Sequence, residues 1–156
     1  MAIELKFDPH NNPCFGCGPN NPIGLKLKFR QEHGKAKAEF VPGEHHQGWP
    51  GLIHGGVICA LLDEAMGYVT FNMGLKTLTA KMELRFRQPV RIGQKLILTA
   101  KILDHRRNLI RTTGKIELED GTTIAESTAI MFEIKDEKGN RSSHSGKAIT
   151  CINPEK

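Results

Sequence analysis

The residues most able to do chemistry lie in GWPGLIHGGVICALLDEAMGY, residues 48–68. The run is apolar enough for a buried helix, yet it opens on His54, Gly55 and Gly56 and carries Asp63 and Glu64 in its middle. Buried carboxylates are rare unless paired or used. Glycines are poor helix formers unless backbone must come close to something. At a helix start the first N–H groups lack intrahelical partners and the dipole is positive. With no Cβ at Gly56, a carbonyl oxygen can approach its N–H directly, with Gly55 beside it. That is an oxyanion hole in outline. The plainer alternative is that both glycines only let the helix pack tightly on a sheet.

Asp63 follows Gly56 by two helical turns and therefore shares its face. A carboxylate there could activate a water as general base or attack a carbonyl directly. The alternative role is a structural salt bridge or cap. Glu64 points about 100° away around the helix and suits a structural pairing, for instance with a sheet arginine. His54 begins the helix, where a positive charge would oppose the dipole. It is expected to be neutral and to hydrogen-bond nearby backbone.

Cys59, Ala60 and Gly67 make the same face a stripe of small residues, suited to a narrow slot for a thin substrate. Seven residues at 1.5 Å each put Gly56 and Asp63 roughly 10 Å apart along the axis. One carbonyl cannot touch both. Either the pairing is wrong, or Asp63 of one chain works with Gly56 of another across a twofold axis, the commonest oligomer symmetry.

These residues need elements to position them, and period-2 alternation supplies most of the chain. GLKLKFR sets Leu25, Leu27 and Phe29 against Lys26, Lys28 and Arg30, and KAKAEFV repeats the pattern. TAKMELRFR places Ala80, Met82, Leu84 and Phe86 opposite Lys81, Glu83, Arg85 and Arg87. Three more strands are predicted over 95–103, 108–118 and 122–134, the last two joined by an Asp-Gly turn. One apolar and one polar face per strand is antiparallel behaviour. Between the second and third strands, His54 to about Asn72 reads as one helix with Ile58, Leu61, Leu62, Ala65 and Val69 on a buried face. The order β-β-α-β-β-β-β predicts an α+β domain over 1–134, with 135–156 a polar tail.

Composition sets the remaining bounds. With 156 residues, 38% hydrophobic and 25% charged, one domain is expected. Net charge of +5 is spread along the chain, and with one Trp and one Tyr a nucleic-acid platform is not expected. No apolar run is long enough to span a bilayer, and the N-terminus lacks a signal pattern, so no membrane partner and a cytoplasmic location are expected.

HGGVICALLDEAMG, with an acid nine residues after the His, resembles the helix signature of the PaaI-like hotdog-fold acyl-CoA thioesterases. CFGCGPNNPIGLKLKF and ELRFRQPVRIGQKL are similar to that family's lead-in and strand-to-strand passage, so the likeness covers most of the chain. The resemblance implies the hotdog fold, an antiparallel sheet wrapped around one central helix. It also implies a homo-oligomer, dimer or tetramer, that hydrolyses an acyl-CoA without a cofactor. Gly56 would then hold the thioester carbonyl, with Asp63 as base or nucleophile. The departing thiolate, with a pKa near 8.5, needs no proton donor.

By the same resemblance Thr79 stands where relatives carry a Ser or Thr that aids the water. Its parity turns it away from the Ala80/Met82 face, so it could contribute only at a subunit boundary. Gln47 is the nearest match to an amide that steadies water or carbonyl, off by one residue from the family spacing. Arg106 and Arg107 are the candidates for the phosphates of coenzyme A. The competing reading is a non-catalytic acyl-CoA or lipid-binding hotdog module in which Asp63 only solvates a helix face.

The four cysteines are Cys14, Cys17, Cys59 and Cys151. Cys14 and Cys17 form a C-x-x-C with His10 four residues earlier. Such a group could begin a zinc site completed by His45 or His46. No full four-ligand spacing is visible, and no metal is assigned.

Overall fold

A computed structural model describes Asp8 and residues 11–135. Its elements run β1 (Arg30–Glu32), β2 (Lys35–Phe40), a short 3-10 turn (Glu44–His46), α1 (Gly55–Phe71), β3 (Thr77–Phe86), β4 (Leu96–Arg106), β5 (Leu109–Leu118) and β6 (Thr123–Glu133). The six strands form one antiparallel sheet in the order β1-β2-β4-β5-β6-β3. Helix α1 packs against β2, β3, β4, β5 and β6. This is the expected hotdog architecture. The expected tail lies outside the described residues except for Lys135.

The helix forms where its apolar pattern placed it, and Ile58, Leu61, Leu62, Ala65, Met66 and Val69 are all buried. Ala36, Ala38, Leu96, Leu98, Ala100, Ile110, Ile116 and Met131 complete the core. At mid-sheet Gly114 lets α1 come close: a Cβ there would sit 3.1 Å from Leu62 Cδ2 and 3.2 Å from Met66 Cγ. The Asp-Gly turn is present too, with Gly121 at φ 86° between β5 and β6.

Two strand predictions change. GLKLKFR keeps its alternation, since Leu25, Leu27 and Phe29 are buried, but it does not join the sheet. Lys26 adopts φ 55°, and the backbone instead bonds to the cysteine turn through Leu25 N–H to Phe15 O (2.7 Å) and Leu27 N–H to Gly16 O (2.9 Å). Only Arg30–Glu32 pairs as β1.

In β3 the register against β6 shifts between Thr79 and Lys81, leaving Ala80 as an unpaired bulge residue. A bulge reverses which face the residues on either side present. Met82 and Leu84 pack on the core as expected, while Ala80 is exposed and Phe86 is 55% exposed. Before the bulge, Thr77 and Thr79 turn toward α1 and reach Thr70 and Asp63, although Thr79 stays exposed. The parity assigned to Thr79 from sequence is thereby corrected.

Candidate active site

Helix α1 starts with His54 as its N-cap in extended conformation (φ −69°, ψ 136°). His54 Nδ1 accepts from the Gly56 N–H at 2.8 Å, which requires that nitrogen to be unprotonated. The His54 carbonyl accepts from Val57 N–H (3.0 Å) and Ile58 N–H (3.3 Å). Of the four orphan amides at a helix start, His54 satisfies those of Gly56 and Val57, and its own N–H donates to His46 O at 2.8 Å. The Gly55 N–H is the remaining one and has no partner among the described residues.

From sequence the Gly56 N–H is the expected donor to the carbonyl. The Gly56 amide is engaged by an imidazole, and an added Cβ there would lie 2.9 Å from His54 Nδ1. Gly55 carries the open N–H, with Phe86 alongside: a Cβ on Gly55 would reach the Phe86 ring at 3.4 Å. His54 performs the backbone-bonding role foreseen for it.

Asp63 is half-buried on α1, and the Thr79 hydroxyl donates to its Oδ1 at 2.6 Å. Thr79 Oγ1 also lies 3.4 Å from the sulfur of buried Met131. Thr79 therefore reaches Asp63 within one chain, with no subunit boundary needed. Asp63 neither caps a helix nor joins an ion pair among the described residues. Along the same face Cys59, Ala60 and Gly67 are only half-buried, and a Cβ on Gly67 would meet nothing within 4 Å. The stripe of small residues is open.

Gln47 does not point its amide at Asp63. Its Oε1 accepts from Gly51 N–H (2.5 Å) and its Nε2 donates to Glu44 O (2.9 Å), bracing the loop before the helix. Arg106 ends β4 and Arg107 forms the turn after it at φ 57°, both exposed and outside any ion pair among the described residues. Register links Arg106 to Leu109, Leu109 to Phe132 and Phe132 to Leu78. This turn is therefore at the Thr79 end of the sheet, about 14 Å across three strand spacings.

Glu64, on the next helical position, pairs with no sheet arginine. Its carboxylate meets the Cys14 thiol, with Sγ at 3.7 Å from both Oε1 and Oε2. Burial pushes its pKa up to about 7. His46 is held elsewhere, accepting from Gly43 N–H through Nδ1 (2.9 Å) against the edge of Phe40. Its burial holds the imidazole below its usual range. His10 lies outside the described residues. What sequence missed is this convergence of Glu64 on the cysteine turn, fifty residues away in the chain.

By fold the chain is a hotdog protein. The likeness to thioesterases read from its motifs is borne out independently. Residues 50–125 match the family model described as Thioesterase superfamily. The acyl-coenzyme A thioesterase THEM4 of Rattus norvegicus is 25% identical over 120 residues, covering 74% of this chain and 52% of its own. The chain thus spans about half the length of the curated relatives it matches. Among solved structures, the E. coli PaaI protein from the phenylacetic acid degradation operon superposes with TM-score 0.67 at 19% identity, covering 72% of this chain and 82% of that one. The smu.793 protein of Streptococcus mutans UA159, bound to acetyl CoA, gives TM-score 0.66 at 18% identity, with coverage of 70% and 90%. No described helix is long and apolar enough to cross a membrane.

Proposed function

We propose that this chain hydrolyses an acyl thioester of coenzyme A in a site that two copies build together. The observation that carries it is a Gly55 N–H without a partner among the described residues, at the start of the same helix that presents Asp63, held by Thr79. The relatives named as acyl-coenzyme A thioesterases, and a neighbour in fold bound to acetyl CoA, support the substrate class.

Eight residues at 1.5 Å rise separate Gly55 from Asp63 by about 12 Å along the axis, so a single chain cannot offer both to one carbonyl. Strand β3 supports a twofold solution. It is ten residues long, stands at the edge of the sheet, and is exposed at most positions. Long uncovered edges invite pairing with another strand. Antiparallel pairing of β3 with a second β3, centred near Met82, sets the Thr79 end of one chain opposite the Phe86 end of its neighbour. Thr79 accompanies Asp63 and Phe86 accompanies Gly55. The two halves of the site then meet.

In that arrangement the thioester carbonyl accepts from the Gly55 N–H, which stabilises the negative oxygen as the tetrahedral intermediate forms. The Asp63 carboxylate removes a proton from the attacking water, or itself attacks to give an anhydride that water then opens. Either way the C–S bond breaks, the thiolate of coenzyme A departs, and the products are the free acid and the thiol. Thr79, donating to Oδ1, leaves Oδ2 as the reactive oxygen. Exposed Arg106 and Arg107 are the candidates for the coenzyme A phosphates.

Thiol release from a panel of acyl-CoA esters tests the reaction. Asp63→Asn should lower turnover by roughly 10²–10⁴-fold with binding nearly unchanged. Unchanged turnover would remove Asp63 from the mechanism. Tight binding of esters by the wild-type chain without thiol release would instead identify a binding module.

A further inference from the structure

Outside the acyl site, the side chains most densely set for chemistry are Cys14, Cys17 and Glu64, whose donor atoms all lie within 4.8 Å of one another. We propose that these three residues form a binding site for a soft divalent cation, zinc(II), that fastens the cysteine turn to α1 beside Asp63.

The sequence CFGCG builds a tight turn, closed by Gly18 N–H to Cys14 O at 2.9 Å. Both following glycines are dictated by space. A Cβ on Gly18 would lie 2.4 Å from Cys14 N, and a Cβ on Gly16 would lie 2.3 Å from Glu64 Cδ. The turn is thereby pressed against the carboxylate. Buried Asn12 orients both cysteines: its Oδ1 accepts from Cys14 N–H (3.0 Å) and its Nδ2 points at Cys17 Sγ (3.7 Å). Contact with the Cys17 side chain and burial hold the Cys14 thiol well above its ordinary pKa, so a cation binds by displacing that proton, and the backbone N–H groups of Cys17 and Gly16 oppose the shift by facing the sulfur. Outer-sphere donors of this kind are what orient ligands in metal sites.

Donor spacing fits the ion. Tetrahedral zinc with Zn–S near 2.3 Å and Zn–O of 2.0–2.2 Å has S···O edges of about 3.5–3.6 Å. Cys14 Sγ stands 3.7 Å from each oxygen of Glu64. The equal distances turn the whole carboxylate mouth toward the sulfur. Two thiolates and a carboxylate confined together repel one another, and a dication removes that repulsion. Three protein donors leave one tetrahedral position to water. None of the three cysteines among the described residues is in a disulfide. Helix α1 gains a second anchor at the residue adjoining Asp63.

The test uses the reduced, metal-free full chain titrated with cobalt(II), then with zinc(II). The expected result is one equivalent of cobalt per chain, a thiolate-to-cobalt charge-transfer band with tetrahedral visible bands, and loss of all of them on zinc addition. Cys14→Ser and Cys17→Ser should each weaken binding beyond the roughly 10–100-fold lost with an outer-sphere partner. Glu64→Gln, which keeps both thiols, should weaken it and shift the visible bands. Cys59→Ser should bind as wild type does. Absence of a charge-transfer band in the wild-type chain overturns the assignment whatever the variants do. So does affinity indifferent to Glu64→Gln, or binding lost equally with Cys59→Ser.

Discussion

The Thr79 hydroxyl stands 2.6 Å from Asp63 Oδ1, joining the start of β3 to the middle of α1 across sixteen residues of chain. One bulge residue, Ala80, makes that contact, because without it Thr79 would face the other side of the sheet. Orienting a carboxylate is worth rate when a misplaced reacting group can cost about 10²-fold. Thr79→Ala should therefore lower kcat by roughly 10–100-fold, and Thr79→Ser should restore most of it. Steady-state thiol release with both variants measures this; equal loss in the two would mean that packing, not the hydroxyl, matters.

Deleting Ala80 removes the bulge and should turn Thr77 and Thr79 outward. The expected loss in kcat matches or exceeds that of Thr79→Ala, within the same tenfold-to-hundredfold scale. Circular dichroism showing a folded sheet alongside full activity would contradict the assignment of the bulge.

Whether two chains share a site is decided by complementation. Gly55→Pro deletes the open N–H at a position where proline suits a helix, after a residue already extended at ψ 136°. Asp63→Asn removes the base. Each variant alone should be inactive. Co-folded in equal amounts, half the dimers are mixed and each mixed dimer has one intact site, so about a quarter of wild-type activity should return. Sites contained within single chains would return none.

His54→Ala tests which amide holds the carbonyl. Loss of the cap should cost about 1 kcal/mol and lower Tm by roughly 2–5 °C in a domain of this size. If Gly55 is the donor, kcat should change only a few-fold. A thousandfold loss would assign the chemistry to His54 or to the Gly56 amide it holds.

Glu64 makes stability depend on pH in the metal-free chain. Its carboxyl titrates at about 7 in the fold against 4.5 when unperturbed, chiefly through burial. Between these values the folded chain keeps a proton that the unfolded chain has lost. Its contribution is fully present below pH 4.5 and is lost as pH rises through 7, roughly 3 kcal/mol in all. Urea melts with a chelator present should show that decline, and Glu64→Gln should flatten it. Zinc reverses the trend, since only the deprotonated ligands bind it.

The sequence by itself determined the elements and the faces they bury. Apolar residues at helical spacing from Ile58 to Val69, and alternation in β2, β4, β5 and β6, are local patterns that water enforces wherever the chain goes. The capping role of His54 was legible for the same reason, because a helix start makes fixed demands on its neighbours. Tertiary structure alone decided three things. The bulge at Ala80 reversed Thr79, since strand register depends on the partner β6 and not on the strand's own alternation. The rotamer of His54 chose Gly55 over Gly56 as the open amide, a difference of one hydrogen bond that composition does not encode. Cys14 and Glu64 met only because burial of Leu25 and Leu27 folded the cysteine turn onto the helix. Contacts between residues fifty apart are set by packing, and no spacing rule along the chain contains them.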